Sequence, residues 1–229
     1  MKITVLTLFP KMVEGFFNES IIKRAVEKKL ITIEVVNMRD FAVDSYGTVD
    51  DRPYGGGAGM VLRVDVIDRA LEKIKTNKSK ILLTTPKGKL FDQKKAMEYS
   101  KETDLVIIAG HYEGIDERVL EYVDEEISIG DFVMTGGEIA AAAITDAVVR
   151  LVPGVLKKDD ATVNETFNIQ GKKLLEYPQF TRPEEYKGKK VPEVLTQGNH
   201  KEIEKWRLDK AIEETEKKRP DLLSGLKVD

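Results

Sequence analysis

The stretch "DLVIIAGHYEGIDERV", Asp104–Val119, decides between fold classes. From Val106 to Ala109 it is apolar without polar alternation, the composition of a strand covered on both faces, and such strands belong to parallel sheets packed between helices. Gly110 and Gly114 then fall where that strand ends, the position at which open parallel sheets hold ligands. The same rhythm recurs on either side. Strand-like "KITVLTL", "ITIEVVN", "KILLT" and "EEISIG" alternate with helix-like "ESIIKRAVEKK", "VDVIDRALEKI", a helix from about Asp92, "GIDERVLEYV" and an alanine-rich helix beginning near Gly136. The expected class is α/β, a parallel sheet with helices on both faces.

Composition narrows the function. With 229 residues the chain fits one large domain or two unequal ones, and 41% hydrophobic with 34% charged residues is the balance of a soluble globular protein. The absence of cysteine excludes a disulfide framework and any thiolate metal site, and a reducing cytoplasm is the expected setting. The opening "MKITVLTLFP" has no small-residue cleavage site and reads as a strand rather than a signal peptide. The longest apolar helix, near Ala140 to Leu151, is interrupted by Asp146 and Arg150, so no membrane span is expected. A net charge of −3 supplies no global attraction for nucleic acid, which leaves that role to local patches.

The segment from about Met38 to Leu62 is long and rich in Asp and Gly, and connections of that size are usually functional. Pro153 and Gly154 mark a boundary after "RLVPGVL". Beyond it "KKDDATVNETFNIQGKK" is polar and lacks helical periodicity, as a mobile linker does. "YPQFTRPEEY" is expected to be extended, because each proline biases its predecessor away from helix. A charged helix from about His200 to Lys218 follows, in a region where basic and acidic residues nearly balance.

Three glycine clusters carry the candidate chemistry. "DDRPYGGGAGM", Asp50–Met60, has four glycines in five residues, Gly55, Gly56, Gly57 and Gly59, which allow positive φ and close backbone approach to a ligand. Met60 and Val61 stand where a nucleotide triphosphatase loop needs Lys and Ser or Thr, so that chemistry is excluded. A tight surface turn is the plain alternative, but Arg52 and Tyr54 can pair a phosphate and stack a base. In the second cluster Glu113 can accept hydrogen bonds from a ligand amine, or be a solvated loop carboxylate. His111 has no neighbouring Cys or His and suits a phosphate or base contact better than a metal. The third, "SIGDFVMTGGEIAAAA", Ser128–Ala143, lacks both the dinucleotide fingerprint and a lysine for phosphate. Its apolar Ile129, Phe132, Val133 and Met134 beside glycine-freed backbone suit a purine ring.

Together "DDRPYGGGAGMV", "GHYEGIDERV", "SIGDFVMTGGEIAA", "YPQFTRPEEY" and "GNHKEIEKWR" resemble, in the same order and over nearly the whole chain, the bacterial tRNA (guanine-N1)-methyltransferases of the trefoil-knotted SPOUT class. Composition and spacing do not show a knot, and general topology rules argue against one. The resemblance implies a knotted catalytic domain over residues 1–156, a flexible linker over 157–173 and a small, mainly helical tRNA-binding domain over 174–229. It implies S-adenosyl-L-methionine as methyl donor, a cytoplasmic homodimer with sites between subunits, and tRNA as substrate. The target is the guanosine immediately 3′ of the anticodon, following another guanosine. No protein-bound metal site is implied, although Mg2+ enters as an accessory ion whose need the sequence leaves open.

Carried onto matching positions, the donor pocket comprises Thr85, Pro86, Gly110, Tyr112, Glu113, Gly114, Ile129, Gly130, Asp131, Phe132, Val133, Met134, Gly136 and Gly137. Asp50, Arg52, Gly55, Gly56, Gly57, Gly59, His111 and Thr166 would hold the tRNA. Guanine N1 carries a proton and is a poor nucleophile, so a general base is required. By resemblance it is the first residue of a linker Asp-Ser-Phe motif, which here reads Glu165, Thr166 and Phe167. Arg150 matches an arginine that steadies charge on the guanine carbonyl oxygen; on sequence alone it reads instead as an arginine favoured by a helix C-terminus. Trp206 and Arg207 either contact tRNA or brace the terminal helix. Other knotted methyltransferases, acting on a ribose hydroxyl or an rRNA base, and a noncatalytic RNA-binding module stay open.

Overall fold

The structure, a computed structural model, describes residues 1–157 and 164–223. It divides into two compact units, Met1–Leu156 and the chain from Lys157 onward. The first unit runs β1 (Lys2–Thr7), α1 (Pro10–Phe17), α2 (Ser20–Glu27), β2 (Thr32–Asn37), β3 (Asp50–Asp51), β4 (Val61–Leu62), α3 (Val64–Ile74), β5 (Ser79–Leu90), α4 (Gln93–Tyr99), β6 (Asp104–Ala109), β7 (Glu125–Ser128) and α5 (Glu138–Val149). Five strands form one sheet in the order β2-β1-β6-β5-β7, and every pairing is parallel.

Strand β6 lies at the centre, and Leu105 to Ala109 are 0% exposed. Its side chains alternate between two cores, as the twofold period of a strand requires. Leu105, Ile107 and Ala109 join Ile3, Val5 and Leu82 under Val13, Phe17, Ile22 and Ile144 of α1, α2 and α5. Val106 and Ile108 join Leu6, Ile81 and Leu83 under Val66, Ile67, Ala70, Leu71 and Ile74 of α3. The parallel sheet with helices on both faces is therefore present.

One element is added and one reading changes. Helix α1 occupies a stretch to which the sequence assigns no element; Pro10 opens it at a position that needs no N–H, and Val13 and Phe17 bury one face. "GIDERVLEYV" yields only a 3-10 turn, Glu117–Tyr122, because Val119 is its one buried residue and the Asp116 carboxylate caps the Arg118 N–H.

Strand β5 carries an irregularity with consequences for the site. Thr84 and Lys89 both align with Ile127 of β7, so the residues between them leave the ladder and return to the same rung. Gly88 makes this possible: a Cβ there would lie 2.3 Å from the Ile127 backbone nitrogen.

Edge strand β7 is fastened to α4 through one carboxylate. Lys95 Nζ lies 2.5 Å from Glu125 Oε1, and the Tyr99 hydroxyl donates to Oε2 at 2.7 Å. Burial raises the Glu125 carboxyl, but the hydrogen bonds from Lys95 and Tyr99 outweigh it and hold the group below its ordinary range. Burial first, then the carboxylate, pushes the Tyr99 phenol up. A depressed carboxyl stabilises the fold above its unfolded value of about 4.3 and loses that contribution as pH falls through the lower folded value. Glu125→Gln is expected to cost about 1–2 kcal/mol at neutral pH. Urea denaturation at pH 7 and at pH 3 should show that deficit shrinking in acid; a deficit independent of pH would dismiss the ionic account.

The second unit has hairpins β8 (Asn164–Glu165) with β9 (Asn168–Ile169) and β10 (Glu185–Tyr186) with β11 (Lys189–Lys190), then α6 (His200–Lys218). The expected terminal helix is thus present with its bounds. Ala211 and Thr215 of α6 are buried one turn apart, and the Thr215 hydroxyl accepts the Leu175 N–H at 2.8 Å. Trp206 packs on Tyr177 and Phe180 with centroids 6.4 and 6.3 Å away, and the Arg207 guanidinium lies 5.0 Å from the Tyr177 ring centroid. Both residues therefore brace α6 against "YPQF". The expected linker, 157–173, falls partly on residues 158–163, and the end of the expected C-terminal domain on 224–229; these lie outside the described residues.

Candidate active site

Because β6, β5 and β7 are neighbours in the sheet, the loops leaving their C-terminal ends emerge side by side. They enclose a cavity of about 430 Å³. Its wall contains Thr85, Pro86 and Lys87 from the detour within β5, Gly110 to Asp116 after β6, and Ile129, Gly130 and Phe132 to Gly137 after β7. All the residues expected to hold the donor line this one cavity, with the exception of Asp131. A crevice at the strand ends is where open parallel sheets place ligands.

The glycines are there for close passage. Gly137 donates its N–H to the Gly110 carbonyl at 2.7 Å, and His111 and Gly136 form an antiparallel bridge, so the third loop is laced to the second. A Cβ on Gly137 would lie 2.1 Å from Thr84 Oγ1 and 2.9 Å from the Gly110 nitrogen. At the mouth, Phe132 folds back over Gly130, whose φ is +147°. Phe132 and Val133 remain 53% and 92% exposed, an apolar lip able to cover a flat ring.

The first glycine cluster lies outside the cavity but touches it. Gly55, Gly56 and Gly57 have positive φ and are exposed on the turn between β3, which holds Asp50, and β4. Arg52 is exposed on the same turn. Gly59 lies against the Glu113 side chain: a Cβ there would be 2.3 Å from Glu113 Cγ. The Glu113 N–H also donates to the Met60 carbonyl at 3.1 Å, and Leu62 bridges to Ile115. Glu113 thus joins the exposed turn to the cavity, a link that sequence spacing does not reveal.

Of the remaining predicted residues, Arg150 belongs to the first unit but is not part of the cavity wall. Arg150 caps the C-terminal end of α5, whose first turn borders the cavity. Twelve residues at a helical rise of 1.5 Å put roughly 18 Å of axis between the two ends. Glu165 and Thr166 belong to the second unit, where the Thr166 hydroxyl accepts the Glu176 N–H at 3.1 Å. Among the described residues no group of three or more His, Cys, Asp or Glu could hold a metal ion, and no helix is long and apolar enough to cross a membrane.

Sequence reasoning passes over Glu138, because a glutamate opening a helix reads as a dipole partner. It is 1% exposed, and the Thr7 hydroxyl at the end of β1 donates to its Oε1 at 2.8 Å.

Fold and cavity together define an α/β protein with a cavity at the ends of parallel strands. Residues 1–225 match the family described as tRNA (Guanine-1)-methyltransferase TrmD. The chain is 52% identical to the tRNA (guanine-N(1)-)-methyltransferase of Mycoplasmopsis synoviae (strain 53) over 99% of both chains. It is 54% identical to that of Geobacter sp. (strain M21), covering 99% of this chain and 91% of that one. The Clostridium botulinum (strain Eklund 17B / Type B) enzyme is 50% identical over 99% of this chain and 94% of its own. The chain belongs to this methyltransferase family.

Proposed function

We propose that the protein methylates N1 of the guanosine immediately 3′ of the tRNA anticodon, where another guanosine precedes it, with S-adenosyl-L-methionine as donor. Family membership supports the tRNA (guanine-N1)-methyltransferase activity. The observation that carries the donor assignment is the meeting of three separate loops in one glycine-laced cavity. Its residues fit the donor: Phe132, Val133 and Met134 give an apolar wall for adenine, and the Glu113 carboxylate matches an ammonium.

When bound, the donor supplies a methyl group on a sulfonium that needs no further activation. This chain's own residues must position guanine in line and remove the N1 proton. In this reading Glu165 accepts that proton, and Arg150 donates to the carbonyl oxygen as negative charge develops there. The separation of Arg150 from the cavity along α5 supports a homodimer in which each site draws Arg150 from the other subunit. The trefoil knot, cytoplasmic location, tRNA contacts by Asp50, Arg52 and the Gly55 to Gly59 turn, and the flexible linker belong to the same proposal.

Incubation with labelled donor and tRNA transcripts that vary the two guanosines, followed by nucleoside mass spectrometry, tests this. The expected product is 1-methylguanosine, made only when both guanosines are present. A 2′-O-methylated nucleoside would favour ribose chemistry, and binding without turnover a noncatalytic module.

A further inference from the structure

Among the described residues, two buried polar atoms beside the cavity have no hydrogen-bond partner: Nδ1 of His111 and Oε2 of Glu138. Buried polar atoms are nearly always paired, so two orphans side by side call for an explanation. Both residues crowd Gly136. From the point where a Cβ on Gly136 would stand, Glu138 Oε2 is 2.3 Å away, His111 Cδ2 is 2.4 Å and His111 Nε2 is 2.8 Å. A half-turn of the imidazole about Cβ–Cγ exchanges Nδ1 with Cδ2 and so puts Nδ1 on the Gly136 side of the ring, the side on which Oε2 lies. One Nδ1–H···Oε2 hydrogen bond would satisfy both orphans.

The surroundings favour this arrangement. The Thr7 hydroxyl accepts the Phe9 N–H at 2.9 Å and donates its own proton to Glu138 Oε1, so one carboxylate oxygen is fixed and the other is left to find a partner. Phe9 and Tyr112 flank the imidazole with centroids 4.8 and 4.9 Å away, which confines it to two orientations. A carboxylate on Nδ1 is the usual device for fixing the tautomer of a working histidine.

We propose that Glu138 is a positioning residue that holds His111 as the Nδ1–H tautomer, leaving Nε2 as a hydrogen-bond acceptor for an N–H of the target guanine. His111 lines the cavity, and guanine offers N–H donors at N1 and the exocyclic amine. The assignment rests on the methyltransferase reading above, yet its first test does not depend on turnover.

The chain has two histidines, so long-range 1H–15N spectra of 15N-histidine-labelled full-length protein, assigned with a His200→Gln variant, report the His111 tautomer directly. The expected result is Nδ1 protonated and Nε2 bare in the wild type. In Glu138→Gln, Thr7 retains the side-chain oxygen and the amide NH2 faces the ring, so the tautomer should invert to Nε2–H. Wild-type protein with the Nε2–H form, or an average unaffected by Glu138→Gln, overturns the proposal even if methylation proceeds as expected. Thr7→Val, which keeps the carboxylate, should retain Nδ1–H. In steady-state assays Glu138→Gln should raise KM for tRNA about tenfold with donor Kd unchanged. A loss confined to donor binding, or the same deficit in Thr7→Val, would mark Glu138 as merely structural.

Discussion

Glu165→Gln is expected to retain donor binding and to slow methyl transfer by roughly two to four orders of magnitude, the usual worth of a general base. Guanine N1 cannot attack a methyl group while it keeps its proton, and an amide cannot remove it. The substitution preserves side-chain shape in a hairpin whose Glu165 pairs with Asn168, so the unit should fold as before. Isothermal titration with S-adenosylmethionine and single-turnover assays with tRNA separate the two effects. Methylation by the variant at the wild-type rate would assign the proton to another group.

Gly137→Ala should abolish donor binding. Its φ of −84° tolerates any residue, so conformational strain is not the cause. The obstruction is steric: the added carbon meets Thr84 Oγ1 at 2.1 Å, the Gly110 nitrogen at 2.9 Å and Ala109 Cα at 3.1 Å. The hydroxyl can turn aside, but the other two atoms belong to the backbone of the central strand and its exit. Relief requires the third loop to lift from the second, breaking the Gly137 to Gly110 hydrogen bond and opening the cavity. Overpacking of this kind costs about 1–3 kcal/mol, enough to be visible as a lower unfolding midpoint. Wild-type donor affinity in a folded Gly137→Ala protein would show that the loops need not be laced.

The sheet was legible because β6 is apolar on both faces and its neighbours repeat the pattern, so strand order is the main thing that periodicity leaves open. Helix α1 was not, since eight residues opening on a proline carry too few turns for a clear stripe. The residues assigned to the donor, Asp131 excepted, line one cavity because they come from the detour within β5 and the loops after its neighbours β6 and β7. Other features required coordinates. The contact of Gly59 with Glu113 joins residues far apart in sequence, and Glu125 resembles any surface glutamate until α4 packs beside it. Glu138 is hidden in the same way, its role arising from Thr7 and His111, which only folding brings near. The distance of Arg150 from the cavity could not be judged until both ends of α5 were placed.

The detour between Thr84 and Lys89 has a consequence for motion. A wall of a binding cavity made from an ordinary loop can drift, because its two ends are anchored at separate places. Here both ends meet Ile127, so the detour is a closed stitch in the fabric of the sheet. It cannot slacken unless β7 unzips from β5, and that side of the cavity is accordingly as stiff as the strands themselves. Phe132 and Val133, which remain exposed, are the part of the wall with room to yield.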